Sequence, residues 1–460
     1  MAQTIGFYGA AETVTGSRHL LRVGKNTILV DCGLFQGNKE LRQRNWEELP
    51  IEPHELDAVV ITHAHLDHIG WIPRLVKEGY RGPIYATKAT IELCRISLPD
   101  SGRLQEEDAH FSNKHGGGHH PSLPLYDEKD AFECLKYFKP VEYNTLHSLP
   151  GHAQFRFLPA GHILGSAFAE ITFEDGTSLM MSGDLGRYNT PIIKDPTCIE
   201  SADFLVIEST YGDRLHSDEN PLEKIASIVH DTMTNAGALI IPSFAIGRTQ
   251  ELMYYFRKLQ DQGRMPRIPI YIDSPMAVSV TRVYAAAREE LDDEMVASVE
   301  AGRSELEPDG VIFVRDREIS KTLNQQRGPL IIISGSGMAN GGRVTHHLQH
   351  RLGNPNTTVL FTGYQAEGTL GRRLIEGAPE VHIHGQVVDV RARIEKVNAL
   401  SAHADQGEML RWLSGFKKAP KMTFIVHGEP EAQAVLQRKI EEQFGWSTVI
   451  PKQAEEFSLG

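Results

Sequence analysis

The run THAHLDHIGW, Thr62 to Trp71, constrains this chain most, because His63, His65, Asp67 and His68 set four metal-ligand side chains within six positions. The two histidines of H-x-H alternate along extended backbone, so both imidazoles project from one side of a strand end. Asp67 and His68 then begin the turn into a helix. The ligands therefore split into two sets, a layout suited to two metal ions a few ångströms apart that share one hydroxide. It differs from H-E-x-x-H, in which helical spacing brings both histidines to a single ion. A solvated polar loop explains isolated histidines, but not four ligand-type residues directly after the apolar strand AVVIT. A two-ion site needs further ligands, and three candidates follow apolar strands: His162 in PAGHILGS, Asp184 in MSGDLG and His427 in FIVHGE.

The chain has 460 residues, too many for one ordinary domain. With 40% hydrophobic and 23% charged residues it has the balance of a soluble globular protein. It opens without a basic segment leading into a long apolar run, and no stretch reaches the about 18 apolar residues of a membrane span. A cytoplasmic protein without a membrane partner is expected. Cys32, Cys94, Cys134 and Cys198 form no C-x-x-C pair and read as reduced bystanders. The net charge of −13 argues against a protein that coats nucleic acid nonspecifically, yet allows a nuclease whose basic groups line one cleft.

Residues 1 to about 62 read as strands (IGFYGA, HLLRVG, NTILVDCG, DAVVITH), and from 147 to 210 the pattern resumes, with a hairpin turn at Glu174, Asp175 and Gly176. From about 222 the rhythm changes to apolar strand, Gly-containing loop and helix, as in ALIIPSFAIGRTQELMYYFRKL and PLIIISGSGMANGGRVTHHLQHRL. That is what a parallel sheet covered on both faces requires. After 385 strands leading to histidines return, in SAHAD and FIVHGE, so the last segment is expected to close back onto the first domain. The expected division is 1–210, an inserted α/β domain at 211–384, and 385–460. HFSNKHGGGHHP, with His110, His115, His119 and His120, reads as a mobile surface loop rather than a second metal site.

Taken together, Asp31 in LVDCG, the H-x-H-x-D-H run, His162 and Asp184 resemble the metallo-β-lactamase fold in its usual order, an αββα sandwich. The inserted α/β unit, with ESTYG at 208–212, SAHAD at 401–405 and VHGE at 426–429, resembles the β-CASP branch, nucleases related to the cleavage and polyadenylation endonuclease subunit. The resemblance implies His63, His65 and His162 on one zinc, Asp67, His68 and His427 on a second, and Asp184 bridging. It places Asp31 behind the ligands, orienting their imidazoles; a turn aspartate after a strand is the lesser reading of that position. It pairs Glu208 with His403, an imidazole that protonates the leaving oxygen; by itself His403 is equally a neighbour of a helix cap. His427 is the form this last motif takes in the RNA-acting branch, whereas the DNA-repair branch usually lacks it. Strand pattern begins at Ile5, so the similarity is to shorter bacterial-type members rather than archaeal ones with a KH-type extension.

Several residues of the inserted domain are candidates for holding RNA. Ser336 and Gly337 lie in the loop SGSGMANGGR, between a strand and a helix, where backbone N–H groups can cradle a phosphate. Arg248, Arg343 and Arg372 each stand at a loop-to-helix junction, although solvated arginines read equally well there. The expectation is a two-zinc hydrolase of single-stranded RNA that cuts internally, with 5′-to-3′ exonucleolysis as a further mode. Manganese can occupy such ligands, and a homodimer is allowed. The alternatives are an ester, thioester or DNA hydrolase on the same metal core, and a non-catalytic RNA-binding relative.

Overall fold

In the strand Gln154–Pro159 the alternation of Phe155 and Phe157 with Gln154 and Arg156 puts both rings on one face, where they are fully buried. This computed structural model describes residues 2–115, 122–302, 304–363, 365, 368–397 and 399–460. The chain divides into two units, one of Met1–Asn189, Asp195–Leu215 and His403–Gly460, the other of Thr190–Lys194 and His216–Ala402.

The first unit is built on two seven-stranded sheets. One runs, edge to edge, through Glu455–Ser458, Gln3–Phe7, His19–Val23, Asn26–Val30, Ala58–Val60, Ile84–Ala86 and Phe138–Pro140. The other runs through Thr448–Val449, Met422–Val426, Phe204–Glu208, Ser178–Met181, Ala167–Thr172, Gln154–Pro159 and His147–Ser148. The core lies between them: Ile5, Phe7, Ile28 and Val60 of the first sheet meet Phe155, Phe157, Ile171, Val206 and Phe424 of the second. The second sheet's other face is covered by the helices Gln406–Leu413 and Pro430–Phe444, through Met409, Trp412, Leu436 and Ile440. The hairpin turns where the sequence puts it, with Gly176 at φ 84°. The last strand, Glu455–Ser458, has no apolar signature yet pairs antiparallel with Gln3–Phe7.

The second unit carries a six-stranded parallel sheet in the order Val311–Phe313, Ile270–Asp273, Leu330–Ser334, Ala238–Pro242, Thr358–Phe361 and Arg393–Lys396. Its inner strands are wholly buried. The strand–loop–helix reading from residue 222 onward corresponds to this sheet. The unit extends through Ala402, because the polar strand Arg393–Lys396 pairs with Thr358–Phe361, and it also takes in Thr190–Lys194. A small hairpin, Glu380–Ile383 with Gln386–Asp389, precedes that edge strand.

The helix Lys88–His115 continues through the first six residues of HFSNKHGGGHHP, so His110 is helical rather than in a loop. Residues 116–121, with His119 and His120, lie outside the described residues. No helix among the described residues is long and apolar enough to cross a membrane.

Phe157→Ala is expected to cost about 3–5 kcal/mol, the usual range for emptying a buried aromatic site. The readout is a lower denaturant midpoint for the first unit, with Phe132→Ala, on an exposed helix position, as the unaffected control.

Candidate metal centre

The ligand candidates come together because each stands just past the carboxyl end of a strand in the first unit. Asp31 follows Asn26–Val30, His63 follows Ala58–Val60, His162 follows Gln154–Pro159, Asp184 follows Ser178–Met181 and His427 follows Met422–Val426. Asp67 and His68 sit in the single helical turn Leu66–Ile69. The loop bearing Asp31 lies flat on that turn: a Cβ on Gly33 would stand 1.6 Å from the carbonyl oxygen of Asp67. Only glycine permits that approach.

Two sets of donor atoms converge on one carboxylate. His63 Nε2 and His162 Nε2 stand 3.3 and 3.4 Å from Asp184 Oδ2. His65 Nδ1 lies 3.2 Å from His63 Nε2 and 3.1 Å from His162 Nε2. On the other side His68 Nε2 is 3.2 Å from Asp184 Oδ1. His427 Nε2 is 3.3 Å from His68 Nε2 and 3.2 Å from Asp67 Oδ2. Asp184 Oδ1 is buried and accepts no hydrogen bond among the described residues.

These spacings fit a metal. Four donors around an ion at about 2.0–2.1 Å in tetrahedral geometry stand about 3.3 Å from one another. Ring nitrogens whose lone pairs face each other at that distance repel unless a cation lies between them. His63, His162, Asp184, His68 and His427 are buried, whereas Asp67 and His403 keep about a fifth of their side chains exposed, 19% and 21%. The site therefore opens towards solvent where those two stand.

The charges are set by burial and by one another. Burial holds His63 and His162 below the usual imidazole range, and His65 falls to about 3, so these three are neutral and ready to ligate. Burial also opposes the charge on Asp184, but the surrounding His427, His68 and His63 hold its carboxyl well below the usual range. Burial disfavours the charge on Asp67 too, and His427 and His68 outweigh it. His68 and His427 are likewise disfavoured by burial but lifted by Asp184, with Asp31 acting on the first and Asp67 on the second.

A second layer fixes which nitrogen each imidazole presents. His68 Nδ1 donates to Asp31 Oδ2 at 2.7 Å. Thr62 Oγ1 donates to Asp31, so it accepts from His63 Nδ1 at 3.1 Å. Thr210 Oγ1 donates to the His427 carbonyl and accepts from His427 Nδ1 at 3.1 Å. In all three cases Nε2 is left facing the other donors. Sequence reading did not single out Thr62 or Thr210. The available signal was a hydroxyl residue directly before His63 and another in ESTYG.

Glu208 and His403 meet in the structure. His403 Nδ1 lies 3.1 and 3.2 Å from the two oxygens of Glu208 and 3.8 Å from Asp184 Oδ2. Burial pulls the imidazolium down, but Glu208 and Asp184 more than offset it and raise the pKa to about 9. Glu208 is fully buried and anchored at Oε1 by the Leu185 N–H and at Oε2 by the Thr210 N–H.

The residues expected to hold RNA are in the second unit and do not gather in this way. Arg343 is committed internally, donating to Asp273 Oδ1 at 2.7 Å and to the Arg315 carbonyl at 2.7 Å. Arg248 is buried and paired with Glu251. Arg372 is more exposed and pairs with Glu376 at 2.6 Å. Ser336 Oγ accepts from the Asn340 N–H, and Gly337 packs against the Phe244 ring.

Three family descriptions match the chain: metallo-beta-lactamase superfamily at residues 16–96, Beta-Casp domain at 249–374, and Zn-dependent metallo-hydrolase RNA specificity domain at 387–451. The chain is 40% identical to Ribonuclease TTHA0252 of Thermus thermophilus, over 92% of its own length and 93% of the relative's. It is 31% identical to an RNase J-like protein of Methanocaldococcus jannaschii over 92% of each. With transcription termination factor FttA of the same organism it shares 29% identity over 97% of its length and 70% of the relative's. A crystal structure of a protein of unknown function from Enterococcus faecalis shares the fold along both chains, with a TM-score of 0.53 at 13% identity. The strand-end cluster of histidines and aspartates, the inserted parallel-sheet unit and these matches agree: the chain belongs to the β-CASP family of the metallo-β-lactamase superfamily.

Proposed function

We propose that the protein hydrolyses internal phosphodiester bonds of single-stranded RNA at a two-zinc centre. His63, His65 and His162 would hold one ion and Asp67, His68 and His427 the other, with Asp184 facing both sets. The observation that carries this is the convergence of two donor sets on the two oxygens of one buried carboxylate. RNA as the substrate is supported by the RNA specificity match and by the ribonuclease names of the relatives.

Bound ions supply Lewis acidity and lower the pKa of the attacking water. The chain's own groups do the rest. Asp67, at the open side, accepts a hydrogen bond from that water and orients it towards phosphorus. Glu208 fixes the His403 Nδ1–H, so His403 presents Nε2–H to the leaving group. As the new P–O bond forms and the P–O3′ bond breaks, that proton passes to the 3′ oxygen, leaving a 5′-phosphate and a 3′-hydroxyl. Asp31, Thr62 and Thr210 hold the imidazoles in register and touch no substrate. The test is one RNA labelled in turn at each end. Internal cleavage gives intermediate fragments from both labels, while release of mononucleotides from the 5′ label alone identifies exonucleolysis.

The active protein is expected to carry close to two transition-metal ions per chain by elemental analysis; one ion or none would exclude the two-ion centre. Thr210→Val keeps the side-chain shape but removes the hydroxyl that holds His427. It should weaken metal retention against a chelator by about 10-fold, and Thr210→Ser should restore it.

His403 acts as an acid only while protonated, so turnover should fall as pH rises through its pKa. Glu208 lifts that pKa, so Glu208→Gln should move the alkaline limb of the kcat profile to lower pH. An unmoved limb would remove His403 from the reaction.

A further inference from the structure

In the second unit one large apolar side chain lies at the carboxyl edge of the parallel sheet without belonging to the core. Phe244 follows the central strand Ala238–Pro242 and is 43% exposed. A lone exposed apolar residue is ordinary, but this one is held in place. Its carbonyl accepts from Thr249 Oγ1 at 2.8 Å and from the Thr249 N–H at 3.3 Å. Ser243 Oγ lies 3.1 Å from Thr249 Oγ1, and the Ser243 N–H donates to the Ser334 carbonyl of the neighbouring strand at 3.0 Å. The turn is therefore pinned at several points, and the ring stands on a fixed base.

The ring also has a built backing. Gly337, in the adjacent loop, would place a Cβ 2.6 Å from two ring carbons, so only glycine allows the ring to lie against that backbone. The Gly337 carbonyl accepts from Gln365 Nε2 at 3.1 Å. A partly exposed aromatic ring, packed against a glycine and fixed at the carboxyl edge of a parallel sheet, is suited to take a flat ligand. Single-stranded nucleic acid supplies flat apolar faces on every base.

We propose that Phe244 is a stacking platform for one nucleobase of single-stranded RNA, with Gly337 as its backing. This rests on the RNA reading above and adds to it a contact that is neither ionic nor sequence-specific. Because every base offers a π face, the platform accepts any of the four.

The test uses the full-length, metal-loaded protein carrying His403→Ala to suppress turnover, and measures binding of a single-stranded RNA 12-mer. Phe244→Ala should weaken binding on the order of 5- to 100-fold, the usual loss for one base–aromatic stack. The loss should be equal at low and high salt, since no phosphate contact is removed. Phe244→Trp should restore binding, and its fluorescence should be quenched by RNA. Phe244→Leu, of similar apolar size without a π face, should not restore it. Unchanged affinity in Phe244→Ala, or full rescue by leucine, overturns the platform while leaving the ribonuclease reading intact. Failure of the Phe244-bearing protein to bind RNA at any salt concentration overturns that reading and the platform with it.

Discussion

The carboxylate of Asp184 is the group on which the first unit is organised. A buried ionised carboxylate costs several kcal/mol unless opposite charge surrounds it, and here both oxygens face imidazole nitrogens, with Oδ1 accepting no hydrogen bond among the described residues. The cost is met by bringing imidazoles to it from the three strand ends that lead to His63, His162 and His427 and from the helical turn that carries His68. Their common feature is that each delivers one nitrogen to the same few ångströms, and the strands that do so belong to both stacked sheets.

Around that centre, work is divided between charged and neutral groups. Charged groups set affinity for a cation: Asp184 and Asp67 carry negative charge, and three imidazoles are held neutral by burial. Hydroxyls set orientation. Thr62 and Thr210 occupy the Nδ1 side of His63 and His427, so that Nε2 is presented, without adding a charge that would compete for the ion. Asp31 does the same for His68 with a carboxylate, and the Thr62 N–H and hydroxyl donate to it, spreading its charge over fixed donors. Thr210 also donates its N–H to Glu208, so one residue links the second ligand set to the pair formed by Glu208 and His403.

What could be read from the sequence follows from what is local. H-x-H-x-D-H is legible because its meaning lies in adjacent positions, and His162, Asp184 and His427 are legible because each directly follows an apolar strand. The role of an arginine is not local. Arg343 stands at a loop-to-helix junction, as a phosphate contact would, but what neutralises it is Asp273, seventy positions earlier in sequence and carried by a neighbouring strand of the sheet. The same limit hid the extent of the inserted unit. Arg393–Lys396 lacks the apolar run of its sheet partners because it is an edge strand, and only its pairing with Thr358–Phe361 assigns it. The helical start of HFSNKHGGGHHP was hidden by the glycines after it, since the helix runs on to His115 before they begin.

The arginine assignments bear on how RNA is held. A protein of net charge −13 gains little from long-range attraction to a polyanion, and all three arginines expected to meet phosphates are paired with carboxylates of the second unit, Arg372 at a more exposed position than the others. On the proposals made above, two sources of affinity would survive moderate salt: cations held at the reaction centre, and stacking of a base on the Phe244 ring. The first acts on the scissile phosphate and the second on a base, so neither reads sequence. On this account the charge balance and the exposed ring at Phe244 belong together. Where Phe244 takes a base, weak electrostatic capture would leave paired nucleic acid unheld, and a contact available only in unpaired strands would select the form of RNA in which a base face is free to stack.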